Sequence, residues 1–189
     1  MAVEKKGREF WLALVQKYAL ALQDVPNEFR DREMYLEAVQ RNGRALEFVP
    51  ENLRDREMCM AAVQQEGRTL EFVPDVLCVR EMCLAAVRKN GWALQFVPED
   101  LRDQKVCKAA VYQNCWALQY VPEKLRDREL CLAAVRQNGF ALLYVPDAQK
   151  TRKICEVAVA NEPDAICFVS ETYADETDKK EEESSALGM

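Results

Sequence analysis

Apolar positions along this chain recur in a fixed order, and the order resets every 24 residues. Val-Pro stands at Val25-Pro26, Val49-Pro50, Val73-Pro74, Val97-Pro98, Val121-Pro122 and Val145-Pro146, and one further step lands on Val169, followed by Ser170. Within residues 53–74, Met58, Cys59, Ala62 and Val63 fall at i, i+1, i+4 and i+5. That is one face of a helix, not the alternation of a strand. Asp55 stands where an N-cap belongs, and Glu57 in the first turn suits the positive end of the helix dipole. Gly43, Gly67, Gly91 and Gly139 close these helices, and the left-handed C′ conformation open to glycine is the expected terminator. Asn42, Asn90, Asn114 and Asn138 read as the helix ends before that register. A shorter helix follows, as in Trp92–Val97, and Pro98, which has no backbone N–H to donate, stops it. In the next turn Leu101 is expected to plug the layer.

Each unit therefore reads as long helix, glycine, short helix and proline turn. The pattern predicts an all-α fold, a right-handed-type α-solenoid of seven 24-residue helix–turn–helix repeats over residues 2–169, followed by an acidic C-terminal tail at 170–189. A leucine-rich repeat has units of similar length. It needs an L-x-x-L-x-L strand, where this chain places Ala-Ala-Val among helix-favouring residues. End units of a stack face water on one side and should depart from the consensus. The last unit does, with Glu156 in the Lys108 register, Pro163 in that of Gly139 and Asp164 in that of Phe140. The first has Trp11 in the cysteine register and Asp24 in that of Phe48.

The motif L-R-D-R-E-x-C-L-A-A-V-x-x-N-G-x-A-L-x-[FY], clearest over Leu125–Tyr144 and Leu101–Tyr120, resembles the tandem helical repeats of the domain-of-unknown-function family numbered 4116. The resemblance spans residues 8–169. It departs in having Val-Pro where that family's units more usually have Ala-Ser, and Cys115 in place of one glycine. It implies the helical repeat fold and supplies no catalytic residues.

Composition narrows the chemistry. The 189 residues include no histidine, which removes Ser-His-Asp and Cys-His nucleophile arrangements and a histidine pH switch. Six scattered glycines form no phosphate loop. The net charge is −6, and five of those six excess charges fall after Ser170, where seven acids face only Lys179 and Lys180. A nearly neutral body argues against a general nucleic-acid binder. The opening stretch is too short and too interrupted to be a signal core or a transmembrane segment, so a cytoplasmic protein away from the membrane is expected, export by a dedicated machine remaining open.

The cysteines at 59, 83, 107, 131 and 155 are in register. On stacked helices they would lie about 10 Å apart, beyond the roughly 7 Å Cα limit of a disulfide. They read as buried free thiols in a reducing compartment, with neither a metal site nor a cofactor implied. Cys78 occupies an arginine register (Arg54, Arg102, Arg126) and is expected at the surface. Two arginine registers, Arg30, Arg54, Arg102 and Arg126, and Arg32, Arg56, Arg80, Arg128 and Arg152, invite comparison with RNA-binding solenoids. Each lies beside aspartate or glutamate, and an edge neutralised by ion pairs is the preferred reading.

One register changes from unit to unit while Ala-Leu beside it mostly does not: Leu20, Arg44, Arg68, Trp92, Trp116, Phe140, Asp164. One turn later the series runs Gln23, Glu47, Glu71, Gln95, Gln119, Leu143, Cys167. Varied positions on a constant scaffold point to solvent, and aromatics beside arginines suit interface anchors. The alternative is that the rings lie flat across the joints between units. The function expected is a non-catalytic scaffold binding a protein or peptide through Arg44, Arg68, Trp92, Trp116, Phe140, Gln95, Gln119 and Leu143. A nucleic-acid-binding repeat is the alternative. An enzyme would have to be thiol- or carboxylate-based, and is disfavoured.

Overall fold

A computed structural model describes residues 7–169. Seven ten-residue α-helices recur: α1 (Arg8–Lys17), α2 (Arg32–Arg41), α3 (Arg56–Gln65), α4 (Arg80–Lys89), α5 (Gln104–Gln113), α6 (Arg128–Gln137) and α7 (Arg152–Asn161). A six-residue 3-10 helix follows each, from Ala19–Asp24 to Pro163–Phe168. After each proline of the Val-Pro pairs comes a three-residue 3-10 turn, from Asn27–Phe29 to Asp147–Gln149. The described residues contain no strand. The acidic segment expected from residue 170 lies outside them.

Local chemistry sets these lengths. Asp31, Asp55, Asp103 and Asp127 cap α2, α3, α5 and α6 by accepting from the amides of Met34, Met58, Val106 and Leu130. At the other end, Asn42, Asn90, Asn114 and Asn138 leave the helix with extended backbone. Their side chains accept from the amide two residues on, which opens the 3-10 helix. Each of these asparagines thus ends one helix and starts the next.

Two expectations need correction. The glycines do not take the left-handed conformation: none of the described residues has a positive φ. At Gly43 and Gly91 the glycine answers a close approach instead, one that the Cys115 unit adjusts to. A Cβ on Gly43 would lie 2.6 Å from the Ala62 carbonyl oxygen, and one on Gly91 2.5 Å from that of Ala110, both on the following α-helix. The short helix is also 3-10, not α. With three residues per turn, side chains at i and i+3 eclipse. Gly43, Leu46 and Val49 therefore all point inward, while Arg44 and Glu47 both point out.

The α-helices bury Met58, Cys59, Ala62 and Val63 and their equivalents, and the short helices add Leu46, Leu70, Leu94, Leu118 and Leu142. These join into one cluster running from Val15 to Ala165. Each α-helix packs on the next α-helix and on the short helices to either side of it, and the short helices pack on one another. The molecule is an all-α repeat solenoid, a stack in which each layer leans on its neighbours. At the ends, Trp11 is half-buried against the core, and Pro163 opens the last short helix.

Candidate functional site

The outward register of the short helices forms a ladder along the stack. Arg44 and Arg68 are exposed, as is Leu143, at 51%. Trp92, Trp116 and Phe140 are half-buried. Each ring meets an aromatic of the following unit edge-on: Trp92 with Tyr120 at 6.0 Å, Trp116 with Tyr144 at 6.2 Å, and Phe140 with Phe168 at 6.4 Å between centroids. Such edge contacts contribute to stacking beyond area burial. The rings therefore do both things that the sequence left open, bridging the joints and presenting part of their surface. Gln95 accepts from the Tyr120 hydroxyl at 3.4 Å, and Gln119 donates to the Trp116 carbonyl at 3.0 Å, so both are only partly free.

The arginine registers have separate tasks. Arg54, Arg102 and Arg126 pair with no acid among the described residues. Arg102 donates to the carbonyls of Val97 and Gln95 in its own unit and of Tyr120 in the next. Arg54 holds Val49, Glu47 and Phe72, and Arg126 holds Val121, Gln119 and Tyr144, in the same way. These guanidinium groups act as clamps on backbone that the short helices leave unpaired. The other register forms the expected ion-paired edge in part, at Arg8, Arg32 and Arg80 and not at Arg56 or Arg128 among the described residues. Arg8 meets Asp31 and Glu33, Arg32 meets Asp55 and Glu57, and Arg80 meets Asp103. Burial opposes ionisation of Asp31, Asp55 and Asp103. Amide hydrogen bonds and the facing arginine outweigh it and hold all three below the ordinary carboxylate range.

A third device escaped the sequence. Gln65 accepts from the Gly43 amide and donates to the carbonyls of Val39 and Gln40, latching α3 to the end of α2. Gln137 does the same with Cys115, Val111 and Tyr112, and Gln113 accepts from the Gly91 amide. The signal was there as glutamine in one register, with Asn161 in its place in the last unit. On the opposite edge, open clefts lie between successive proline turns. One of them, about 650 Å³, is lined by Glu99, Asp100, Tyr120, Pro122 and Lys124.

Cys59, Cys83, Cys107, Cys131 and Cys155 are buried, and burial pushes the thiols of Cys59, Cys107 and Cys131 up to about 11. Cys78 is buried as well, at 8% exposure, which corrects the expectation of a surface thiol. Its side chain turns inward because the Cys83 sulfur lies 3.4 Å away. The exposed cysteine is Cys167. Among the described residues no three His, Cys, Asp or Glu side chains converge as metal ligands, and no helix is long and apolar enough to cross a membrane.

The geometry defines a class, the helical repeat scaffold, and the family follows from comparison. The model of the family described as Domain of unknown function (DUF4116) matches residues 7–54, 31–78, 79–126, 103–150 and 127–173. The chain belongs to this family, as tandem copies of its repeat. Two of these windows abut between Cys78 and Val79. No curated protein and no solved structure matches the chain.

Proposed function

We propose that the protein is a non-catalytic scaffold that binds another protein or a peptide along the outer register of its short helices. One observation carries this reading: the outer register changes identity at four of its six steps, while the Ala and Leu between its two positions stay buried in most layers. Arg44 and Arg68, with Glu47 and Glu71 one turn on, give one half of the ladder charges of both signs, and the edges of Trp92, Trp116 and Phe140 with Leu143 give the other an apolar character. An extended peptide with charged residues of both signs at one end and apolar residues at the other would complement both halves. The nucleic-acid reading has less support, since one arginine register is committed to backbone carbonyls and much of the other to carboxylates.

The test is selection of peptides from a random display library on the intact chain. Enriched peptides should lose binding to Arg44→Glu and to Leu143→Glu, two exposed positions whose replacement leaves the melting temperature unchanged. Trp92→Ala with Trp116→Ala is a weaker probe, because it also removes ring contacts across the joints. Enriched peptides that bind both exposed variants at full strength would place the docking face elsewhere.

A further inference from the structure

The joint between α3 and α4 lacks all three polar devices that fasten the joints beside it. Lys89, a pure donor, stands in the glutamine register and cannot accept from the Gly67 amide. Val79 replaces the capping aspartate, so α4 has no side-chain cap and Arg56 faces no aspartate in its pairing register. Cys78 replaces the arginine clamp. The turn Asp75–Leu77 is therefore tied down by backbone bonds, from the Cys78 amide to Pro74 and Asp75. Its Val76 is 89% exposed.

Two thiols lie directly beneath this turn. The Cys78 and Cys83 sulfurs are 3.4 Å apart. A disulfide bond is about 2.05 Å long, so a movement of little more than an ångström in a turn without an arginine clamp would join them. The other in-register cysteines differ: Cys107 and Cys131 direct their thiols at the carbonyls of Arg102 and Arg126, at 3.6 Å. The Cys83 thiol hydrogen bond lowers the Cys78 pKa and raises that of Cys83, which makes Cys78, the one nearer the surface, the nucleophile.

We propose that Cys78 and Cys83 form an oxidisable dithiol site, which a hydroperoxide converts into an intramolecular disulfide fastening the proline turn to α4 where the arginine clamp is missing. The Cys78 thiolate attacks one peroxide oxygen; the O–O bond breaks, and hydroxide or alkoxide leaves with the bonding pair. The Cys78 sulfenic acid that results is attacked by the Cys83 sulfur, which gives up its proton. The S–S bond forms, the S–O bond breaks, and hydroxide departs as water. Two thiols and one peroxide become one disulfide and two molecules of water, or one of water and one of alcohol. The two sulfurs lose two electrons and the peroxide gains them.

The experiment uses the full chain with Cys167→Ser, which removes the exposed thiol. After a hydrogen peroxide pulse, cleavage after Arg80 separates Cys78 from Cys83. An unreduced tryptic digest should then contain a linked peptide pair that reductant resolves, and the intact mass should fall by two hydrogens. Cys59, Cys107 and Cys131 should stay reduced at the same dose, and the oxidised chain should melt at a higher temperature than the reduced one. Cys83→Ser should abolish both the link and the shift while retaining the helical signal. Peroxide that leaves both thiols free to alkylate after denaturation overturns the proposal, as does oxidation of all buried cysteines at one rate. A linked pair that lowers the melting temperature overturns the fastening role.

Discussion

The α3–α4 and α4–α5 joints lie side by side and are built differently. At α4–α5, Gln113 latches the Gly91 amide, Arg102 clamps carbonyls in both units, and Arg80 pairs with Asp103. At α3–α4 those places hold Lys89, Cys78 and Val79. Yet the helices pack on one another at both joints, and Gly67 and Gly91 each bring a short helix against the next α-helix. The comparison separates two jobs. Apolar packing and the glycine approach set the spacing of the layers. The polar devices hold the edges of the layers together, and the stack continues through α3–α4 without them.

The largest effects should come from substitutions that attack the shared feature. Leu70→Ala and Leu94→Ala truncate equivalent core leucines of the two units, both buried. Each should cost about 2–5 kcal/mol in a urea titration, and the two costs should be similar. If Leu70→Ala proves as mild as a surface change while Leu94→Ala does not, packing does not carry the α3–α4 joint.

Removing one device from the well-fastened joint comes next. Arg102→Ala leaves the carbonyls of Val97, Gln95 and Tyr120 without their charged donor. Hydrogen bonds from a charged group contribute about 1.5–3 kcal/mol each when measured singly. Three shared by one half-buried side chain should together cost about 2–3 kcal/mol. Amide exchange should show the loss concentrated at Tyr120 and the turn after it. A loss spread evenly over the molecule contradicts the clamp.

The reverse substitution is smaller. Val79→Asp restores an N-cap to α4 and gives Arg56 the partner its register has elsewhere. Caps of this kind contribute about 0.5–2 kcal/mol, so a gain of about 1 kcal/mol is expected by chemical denaturation. No gain would mean that the α4 terminus is already satisfied by other means.

Much of this architecture can be read from the chain alone. A 24-residue period, aspartate before four of the seven long helices and proline after six of the seven short ones leave little freedom in the order of elements. What the period hides is hydrogen bonding between units. Asp55 announces a cap because its partner is three residues away, whereas Arg54 reaches Phe72 and Gln65 reaches Val39, across a joint whose geometry no local pattern contains. The same holds for glycine. Its presence at Gly91 was plain, but the cause is the Ala110 carbonyl of the next layer and not the local backbone. In the ladder, the register was legible and the partial burial of Trp92 and Trp116 was not, because that depends on Tyr120 and Tyr144 one unit on.

The finest distinction between the two joints should appear in acid. Asp103 caps α5 and meets Arg80 at 2.5 Å, and its pKa is lowered below the ordinary 3.8. A carboxylate with a depressed folded pKa contributes stability that is fully present above its unfolded value and disappears as pH falls through the folded one. Protection of the first amides of α5 should therefore decline once pH drops below the ordinary aspartate value. The first amides of α4, capped by no carboxylate, should show no such step. Val79→Asp should create one there. Between pH 5 and 8 neither helix should respond, since the chain has no histidine. A matching acid step at α4 in the unaltered chain would show that the step does not come from the Asp103 register.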